Sequence, residues 1–449
     1  MFKDTANCDK LVNQDSKVIS KTSRATYFPL AIKKGRGATF EDLDGNKYID
    51  FFSSAAVLNT GHAHPKILDA IKKQIVDYIH FSSDCLYTEP QVKLAEILTE
   101  ITPGRFNKKI TFGLSGSDAN DGAIKLARSY TDRSKIISFI GAYHGSTYGA
   151  ISLTANNLDM RRKIGPFLPE IYHMPYPNCY RCEFGKEKEK CSLECLDYMK
   201  HAFKTYIPPR EVAAIIIEPI LGDLGFIVPP KVYLKELHNL CEKYGILFIV
   251  DEVQQGFGRT GKWFSIEHFE IIPDVIIMGK SIASGLPLSA IVAKEEIMDS
   301  MEMSHIFTLQ GNAVCTSAGI ATIEIIKEEN LIENSKVMGD YIKRKFSVIQ
   351  DKYELIGDIR GKGLSIGIDL VKDRNTKEKN KEAAAKICYR CWQKGLLLIF
   401  LAENVIRVQP PLLIRKDEVD KALDIIEDTI VEYLEDDIPD KVLATIKGW

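Results

Sequence analysis

Apolar and polar positions along the 449 residues follow three successive patterns. The first two dozen residues are polar and weakly patterned, which predicts an arm ordered only against another surface, such as a second subunit. Between residues 39 and 50, two short runs flank Asp44-Gly45-Asn46. Those are the residue types of a positive-φ turn, so a β-hairpin is predicted. The pattern then changes to continuous apolar runs of strand length at 136–140, 213–217, 246–250 and 275–278, each followed by a polar or glycine-containing turn. Continuous rather than alternating apolar character means that both faces of each strand are covered, as in a mostly parallel sheet between helices. The middle of the chain is therefore predicted to be α/β. After about residue 330 come amphipathic helices, then antiparallel strand material at 356–370 and a closing helix at 416–434. These predict a smaller α+β domain. The organisation expected is an N-terminal arm with part of the small domain at 1–60, a large domain at 61–325 with a cysteine-rich insertion at 176–197, and a C-terminal small domain at 326–449.

Composition narrows the partners. Hydrophobic residues make up 45% and charged residues 27%, the balance of an ordinary globular chain, and the formal net charge is only -2. No basic run interleaves with aromatics, so no nucleic-acid partner is expected. No stretch approaches the roughly 20 apolar residues of a membrane helix, and the opening residues lack an apolar signal core. A cytoplasmic protein acting on a small molecule is expected. The ten cysteines then read as thiols or metal ligands rather than as a disulfide framework.

Four short motifs carry chemistry. Lys280 follows a buried strand and precedes small residues; burial disfavours its charged form, and a neutral amine is the nucleophile a Schiff base requires. The bland reading is a surface lysine at a strand end. Asp251 closes the apolar run 246–250 at the edge where open α/β sheets bind ligands, so its carboxylate is placed to protonate a ring nitrogen; the competing reading is a simple cap. Ser115-Gly116-Ser117 open a helical stretch whose N–H groups and dipole suit a phosphate, although the same residues also make an ordinary N-cap. Tyr143, after another strand, offers an aromatic face to a planar ring or is merely packed. Gly256 to Lys262 has P-loop spacing, but Trp263 stands where a magnesium-binding Ser or Thr would be needed, so nucleotide hydrolysis is excluded.

Together, Ser115-Gly-Ser-Asp-Ala-Asn120, Tyr143-His-Gly, Glu218-Pro-Ile220, Asp251-Glu-Val-Gln254 with Gly256-Phe-Gly-Arg-Thr-Gly261, and Met278-Gly-Lys280 occur in the order seen in class III aminotransferases. The chain resembles that family from about residue 25 onward. The resemblance implies a fold type I pyridoxal-phosphate-dependent transferase, with the large domain holding pyridoxal 5'-phosphate. It implies that Lys280 carries the cofactor, that Asp251 pairs with the pyridine nitrogen, that Ser115, Gly116 and Ser117 hold the phosphate, and that Tyr143 stacks on the ring. His144 and Glu218 then lie near the cofactor and Gln254 bonds the ring hydroxyl. Thr308 resembles the residue that reaches the phosphate in the neighbouring subunit, which implies a homodimer or homotetramer. Arg407 resembles the arginine that grips the substrate α-carboxylate, with Tyr143 beside the substrate.

Two departures bear on the reaction. Many members have arginine after His-Gly, to pair with a distal carboxylate; this chain has Ser146. Members of that kind also have Gln-Gly-Glu after Glu-Pro-Ile, where this chain has Leu221-Gly222-Asp223. Aspartate at this place resembles a subgroup of isoleucine 2-epimerases and broad-specificity amino-acid racemases, in which it faces the substrate from the side opposite the lysine. Similarity to that subgroup extends through Tyr143-His-Gly-Ser-Thr-Tyr-Gly149, Arg162-Lys-Ile-Gly-Pro-Phe-Leu-Pro169 and Gly448-Trp449. The resemblance therefore implies a racemase or 2-epimerase of neutral, largely apolar amino acids using Lys280, Asp223 and Asp251 catalytically. The alternatives are an aminotransferase in which Asp223 only hydrogen-bonds, and a non-catalytic ligand-binding module.

Cys179, Cys182, Cys191 and Cys195 crowd four thiols into a short polar segment, a count suited to tetrahedral zinc and less well to an iron–sulfur cluster. Reduced thiols or a labile disulfide are the competing readings. Cys388 and Cys391 lie in a helical stretch with no second pair, and packing explains them.

Overall fold

The hairpin predicted at 39–50 forms as β2 (Thr39–Asp42) and β3 (Lys47–Asp50), with β1 (Ile32–Arg36) antiparallel to β2. The computed structural model describes residues 4–446 and Gly448. Trp449, the last residue of the Gly448-Trp449 match, lies outside the described residues. Asp42 sets the turn. Its Oδ1 accepts the backbone N–H groups of Asp44 (3.0 Å) and Asn46 (2.8 Å), and its Oδ2 accepts the Tyr48 hydroxyl (2.8 Å). Gly45 takes φ +84°, where a side chain would be strained.

The polar N-terminus differs from expectation. Residues Ala6–Val18 form a helix, and the Asp44 carboxylate accepts the N–H groups of Asn7 (2.8 Å) and Cys8 (2.9 Å) in its first turn. A carboxylate there offsets the helix dipole and satisfies orphan donors. The segment therefore orders on its own chain, through an acceptor 36–37 positions away that no local pattern announces.

Two compact units result, one of Met1–His64 with Glu329–Trp449, the other of Pro65–Glu328. In the first, β11 (Ile356–Lys362), β12 (Ser365–Asp373), β15 (Ile399–Leu401) and β16 (Val405–Val408) make an antiparallel sheet in the order β11-β12-β16-β15, with β13 (Glu378–Lys379) on β12. β14 (Leu396–Leu397) joins β3 in parallel. The helix Lys416–Leu434 has the predicted bounds, and Cys388 and Cys391 are buried in the helix Lys381–Lys394.

The second unit carries a seven-stranded sheet of β4 (Lys108–Gly113), β5 (Lys135–Phe139), β6 (Ile171–Met174), β7 (Val212–Ile217), β8 (Leu247–Asp251), β9 (Val275–Met278) and β10 (Ser289–Lys294). Its order is β4-β10-β9-β8-β7-β5-β6, parallel throughout except for β10. Every residue of β5, β7, β8 and β9 is buried, as the continuous apolar runs require. Ile136, Ile216, Ile249 and Ile277 pack with Ala123 and Ala127 of the helix Gly116–Thr131. Because β10 runs against both β4 and β9, the carboxyl ends of β4, β5, β6, β7, β8 and β9 emerge on one edge. Among the described residues, no helix is long and apolar enough to cross a membrane.

Candidate active site

The strand ends on that edge deliver the residues singled out in the sequence. Asp251 is the last residue of β8 and is 3% exposed. Its Oδ2 accepts Asn120 Nδ2 (2.9 Å) and lies 2.8 Å from His144 Nδ1, while Oδ1 accepts the Val253 N–H at 3.0 Å. A buried carboxylate held by three partners is stiff and oriented. Asn120 also donates to the carbonyl oxygens of Gly116 (3.0 Å) and His144 (2.9 Å), tying the phosphate-type turn to the Tyr143 loop. The sequence assigns Asn120 no role of its own. Its only local signal is a polar side chain on the buried face of an amphipathic helix.

Helix Gly116–Thr131 starts in the turn after β4. Ser115 is its N-cap: its hydroxyl accepts the Asp118 N–H (3.3 Å), and Asp118 Oδ2 returns to the Ser115 N–H (3.0 Å). The Ser115 hydroxyl is thus engaged in the cap, while Gly116 and Ser117 present the first helical turn. Ser117 Oγ accepts the Ser146 N–H at 3.1 Å. A Cβ on Gly145 would sit 2.3 Å from Ser117 Oγ, and one on Gly116 would sit 2.8 Å from a Val253 methyl. These close approaches need glycine.

Glu218 follows β7 and is 4% exposed. Its two oxygens accept the N–H groups of Tyr143 (3.1 Å) and Gly222 (3.0 Å). Burial, and then the charges of Asp251 and Asp223, push its carboxyl up to about 7 against the opposing effect of His144. Asp223 is 8% exposed, and its Oδ1 accepts Gln254 Nε2 at 3.2 Å. Burial raises the Tyr143 hydroxyl, and Asp223 and Asp251 raise it further. Tyr143 Oη lies 3.2 Å from Ser146 Oγ. Ser146, which the sequence marks only as a missing arginine, thus supports the tyrosine.

Lys280 begins the turn after β9 with φ +44°, preceded by Gly279, where a Cβ would come 3.3 Å from the Gly116 nitrogen. Lysine, glycine-rich turn and Asp251 therefore share one sheet edge. Two expected residues stand elsewhere. Thr308 is exposed on a turn after β10, its carbonyl bonded to His80 Nε2 (2.8 Å). Arg407 lies on β16 of the other unit, buried at 3%, with its guanidinium on Gln409 Oε1 and 5.4 Å from the Phe52 ring centroid.

Pyridoxal phosphate fits the chemistry of this donor set. Asp251 is a buried carboxylate of the kind that would pair with a pyridine nitrogen, and the first turn of Gly116–Thr131, with glycine at the point of closest packing, would receive the phosphate. Among the described residues, buried His144 Nε2 and Asn120 Oδ1 have no hydrogen-bond partner, as expected of groups organised around a further polar ligand.

Beside Asp251, Glu252 turns away and accepts Ser265 N–H (2.9 Å), Ser265 Oγ (2.8 Å) and Ile266 N–H (2.7 Å). Burial nevertheless pushes it up to about 8. With the folded value above that of the unfolded chain, the native state binds more protons, so stability falls as pH rises from roughly 4.5 towards 8. Glu252→Gln loses one hydrogen bond at every pH but cannot ionise. The melting-temperature gap between wild type and variant should narrow steadily from pH 5 to 8; a constant gap would contradict the assignment.

The chain belongs to the class III aminotransferase family of pyridoxal-phosphate-dependent enzymes, whose family profile, aminotransferase class-III, matches residues 20–430. It is similar to the leucine/methionine racemase of Thermococcus litoralis, with 46% identity over 98% of this chain and 99% of the relative. It is also 44% identical to the isoleucine 2-epimerase of Lentilactobacillus buchneri over 96% of each chain. A Bacillus anthracis aminotransferase structure superposes with a TM-score of 0.88 at 32% identity, covering 96% of this chain and 99% of that one. The fold is thus shared by enzymes of two reaction types.

Proposed function

We propose that the chain is an amino-acid racemase or 2-epimerase acting on neutral, largely apolar amino acids by exchange of the α-proton between two bases, Lys280 and Asp223. The observation that carries this reading is the buried Asp223 carboxylate, held by Gln254 and close enough for its charge to act on Glu218 and Tyr143. Bound pyridoxal phosphate supplies an electron sink for the pair left when the α-proton departs. The unit Pro65–Glu328 serves as its binding domain. Lys280 carries the cofactor and, as a neutral amine, takes or returns the proton at Nζ. Asp223 does the same at its carboxylate from the opposite side, which inverts the carbon. Asp251 holds a proton at the pyridine nitrogen, kept in place by Asn120 and His144. Gln254 both positions Asp223 and faces the ring hydroxyl. Ser115, Gly116 and Ser117 hold the phosphate, joined by Thr308 of a second copy in a homodimer or homotetramer, and the planar fork of Arg407 is suited to a substrate α-carboxylate. Ser146 in place of arginine leaves no anchor for a second carboxylate, which favours neutral side chains. The reading places the protein in the cytoplasm.

The Lys280 and Asp251 pair serves transamination equally well, and the two reactions separate cleanly in deuterium oxide. With L-leucine or L-isoleucine and no keto acid, the racemase reading expects α-deuterated product of inverted configuration at C2. Turnover that depends on an added keto acid would establish the aminotransferase instead.

A further inference from the structure

We propose that Cys179, Cys182, Cys191 and Cys195 bind one zinc ion in a structural four-thiolate site that pins the segment between β6 and the helix Glu194–Thr205. Residues 175–193 contain no strand or α-helix, only one 3-10 turn at Lys188–Lys190. An irregular segment of this length inside an α/β unit needs something to hold it. Its apolar content is small, and its tip is rich in Lys and Glu.

All four cysteines line one cavity of about 30 Å³, with Tyr176, Phe184 and Glu194 among its walls. That is the space of an ion or a single water rather than of an organic ligand. The shared lining brings the pair Cys179 and Cys182 together with the pair Cys191 and Cys195 around one space. The backbone is shaped around a sulfur: the Leu193 N–H donates to Cys191 Sγ at 3.3 Å, with Leu193 in the left-handed region at φ +67°. An N–H aimed at sulfur is the outer support a metal-bound thiolate uses. All four are free thiols, and Cys191 Sγ donates to Glu194 Oε2 at 3.2 Å. Zinc binding displaces that proton, and Glu194 retains the Ser192 N–H (3.0 Å) and Lys186 Nζ (3.3 Å).

Tetrahedral coordination at the usual Zn–S length places sulfurs about 3.8 Å apart. Among the described residues no three of these sulfurs are mutually within 4.8 Å, so the four side chains must rotate inward to close the set. Cys179, Cys182 and Cys191 are half-buried, which leaves them that freedom. The consequence reaches the active site. Tyr176, at the start of the segment, donates its hydroxyl to the carbonyl oxygens of Glu218 (3.0 Å) and Pro219 (3.3 Å).

The test uses the full chain with its cofactor, purified under reducing conditions and dialysed against zinc chloride and then metal-free buffer. Elemental analysis should find one zinc per chain. Cys182→Ser and Cys191→Ser should lose it, while Cys85→Ser, at an exposed thiol outside the cluster, should keep it. Should the serine variants misfold, alkylation of wild type with peptide mapping decides: the four cysteines should be protected together and become reactive together on chelation, with the melting temperature falling on the order of 5 °C. Zinc well below one per chain, alkylation unchanged by chelator, iron with sulfide in place of zinc, or a native disulfide among the four would each overturn the proposal.

Discussion

Lys280→Ala should abolish both racemisation and any transamination, with a loss of at least about 10⁴-fold in kcat, because one side chain supplies both the covalent attachment and one of the two bases. The loss should be chemical rather than structural. Lys280 begins a turn on the functional edge, is partly exposed, and has backbone neighbours set by the packing of Gly279 against Gly116 and Val253. The variant should therefore keep a near-native melting temperature. Lys280→Arg separates charge from proton transfer, since a guanidinium stays positive at every working pH and offers no free amine; it should be as inactive as the alanine variant. Borohydride treatment of the loaded wild-type enzyme, followed by peptide mapping, should leave pyridoxal covalently on Lys280. A label on another lysine, or substantial activity in Lys280→Ala, would remove the basis of the proposed mechanism.

Asp223→Asn should lower racemisation by about 10²- to 10⁴-fold, the usual scale of a lost general acid–base group. The change is nearly isosteric. The amide side chain would keep an oxygen to accept Gln254 Nε2, so the loop after Glu218 should hold its conformation. What it cannot do is take a proton and return it. Because the Lys280 side of the site is untouched, amino transfer to an added keto acid in a single turnover should stay within about 10-fold of wild type, and KM should move little. The ratio of the two reactions is therefore the informative quantity, measured by chiral chromatography of the amino acid against keto acid released. Equal loss of both would assign Asp223 to positioning. Asp223→Ala, which also strands Gln254 in a buried position, should reproduce the ratio with a larger drop in stability.

The active-site constellation was legible to different depths. Lys280 and Asp251 stand out locally, since each terminates a continuous apolar run and a charged group at the carboxyl edge of a buried strand needs a reason. His144 enters only through the family resemblance, and Asn120 does not stand out at all, because what distinguishes both is a shared contact with Asp251, 107 and 131 residues away. Ser115 is ambiguous in another way: its hydroxyl suits both a cap and a phosphate, and in the fold it accepts the Asp118 N–H of a capping box. Ser146 reads in the sequence as an absence, whereas in the fold its hydroxyl stands beside that of Tyr143.

By itself the sequence determined the α/β class, the hairpin at 39–50, the closing helix Lys416–Leu434 and the choice of Lys280 and Asp251 as candidates for the proposed chemistry, because periodicity, turn chemistry and strand-end residues act over a few positions. Only the tertiary structure decided that the polar N-terminus folds as a helix on Asp44, that β10 runs against its neighbours so that six strand ends share one edge, and that three cysteines of an irregular segment share one cavity with Cys195 of the following helix. Each of these depends on groups far apart in the chain meeting in space. Their free energy comes from burial and hydrogen bonds that no local window contains.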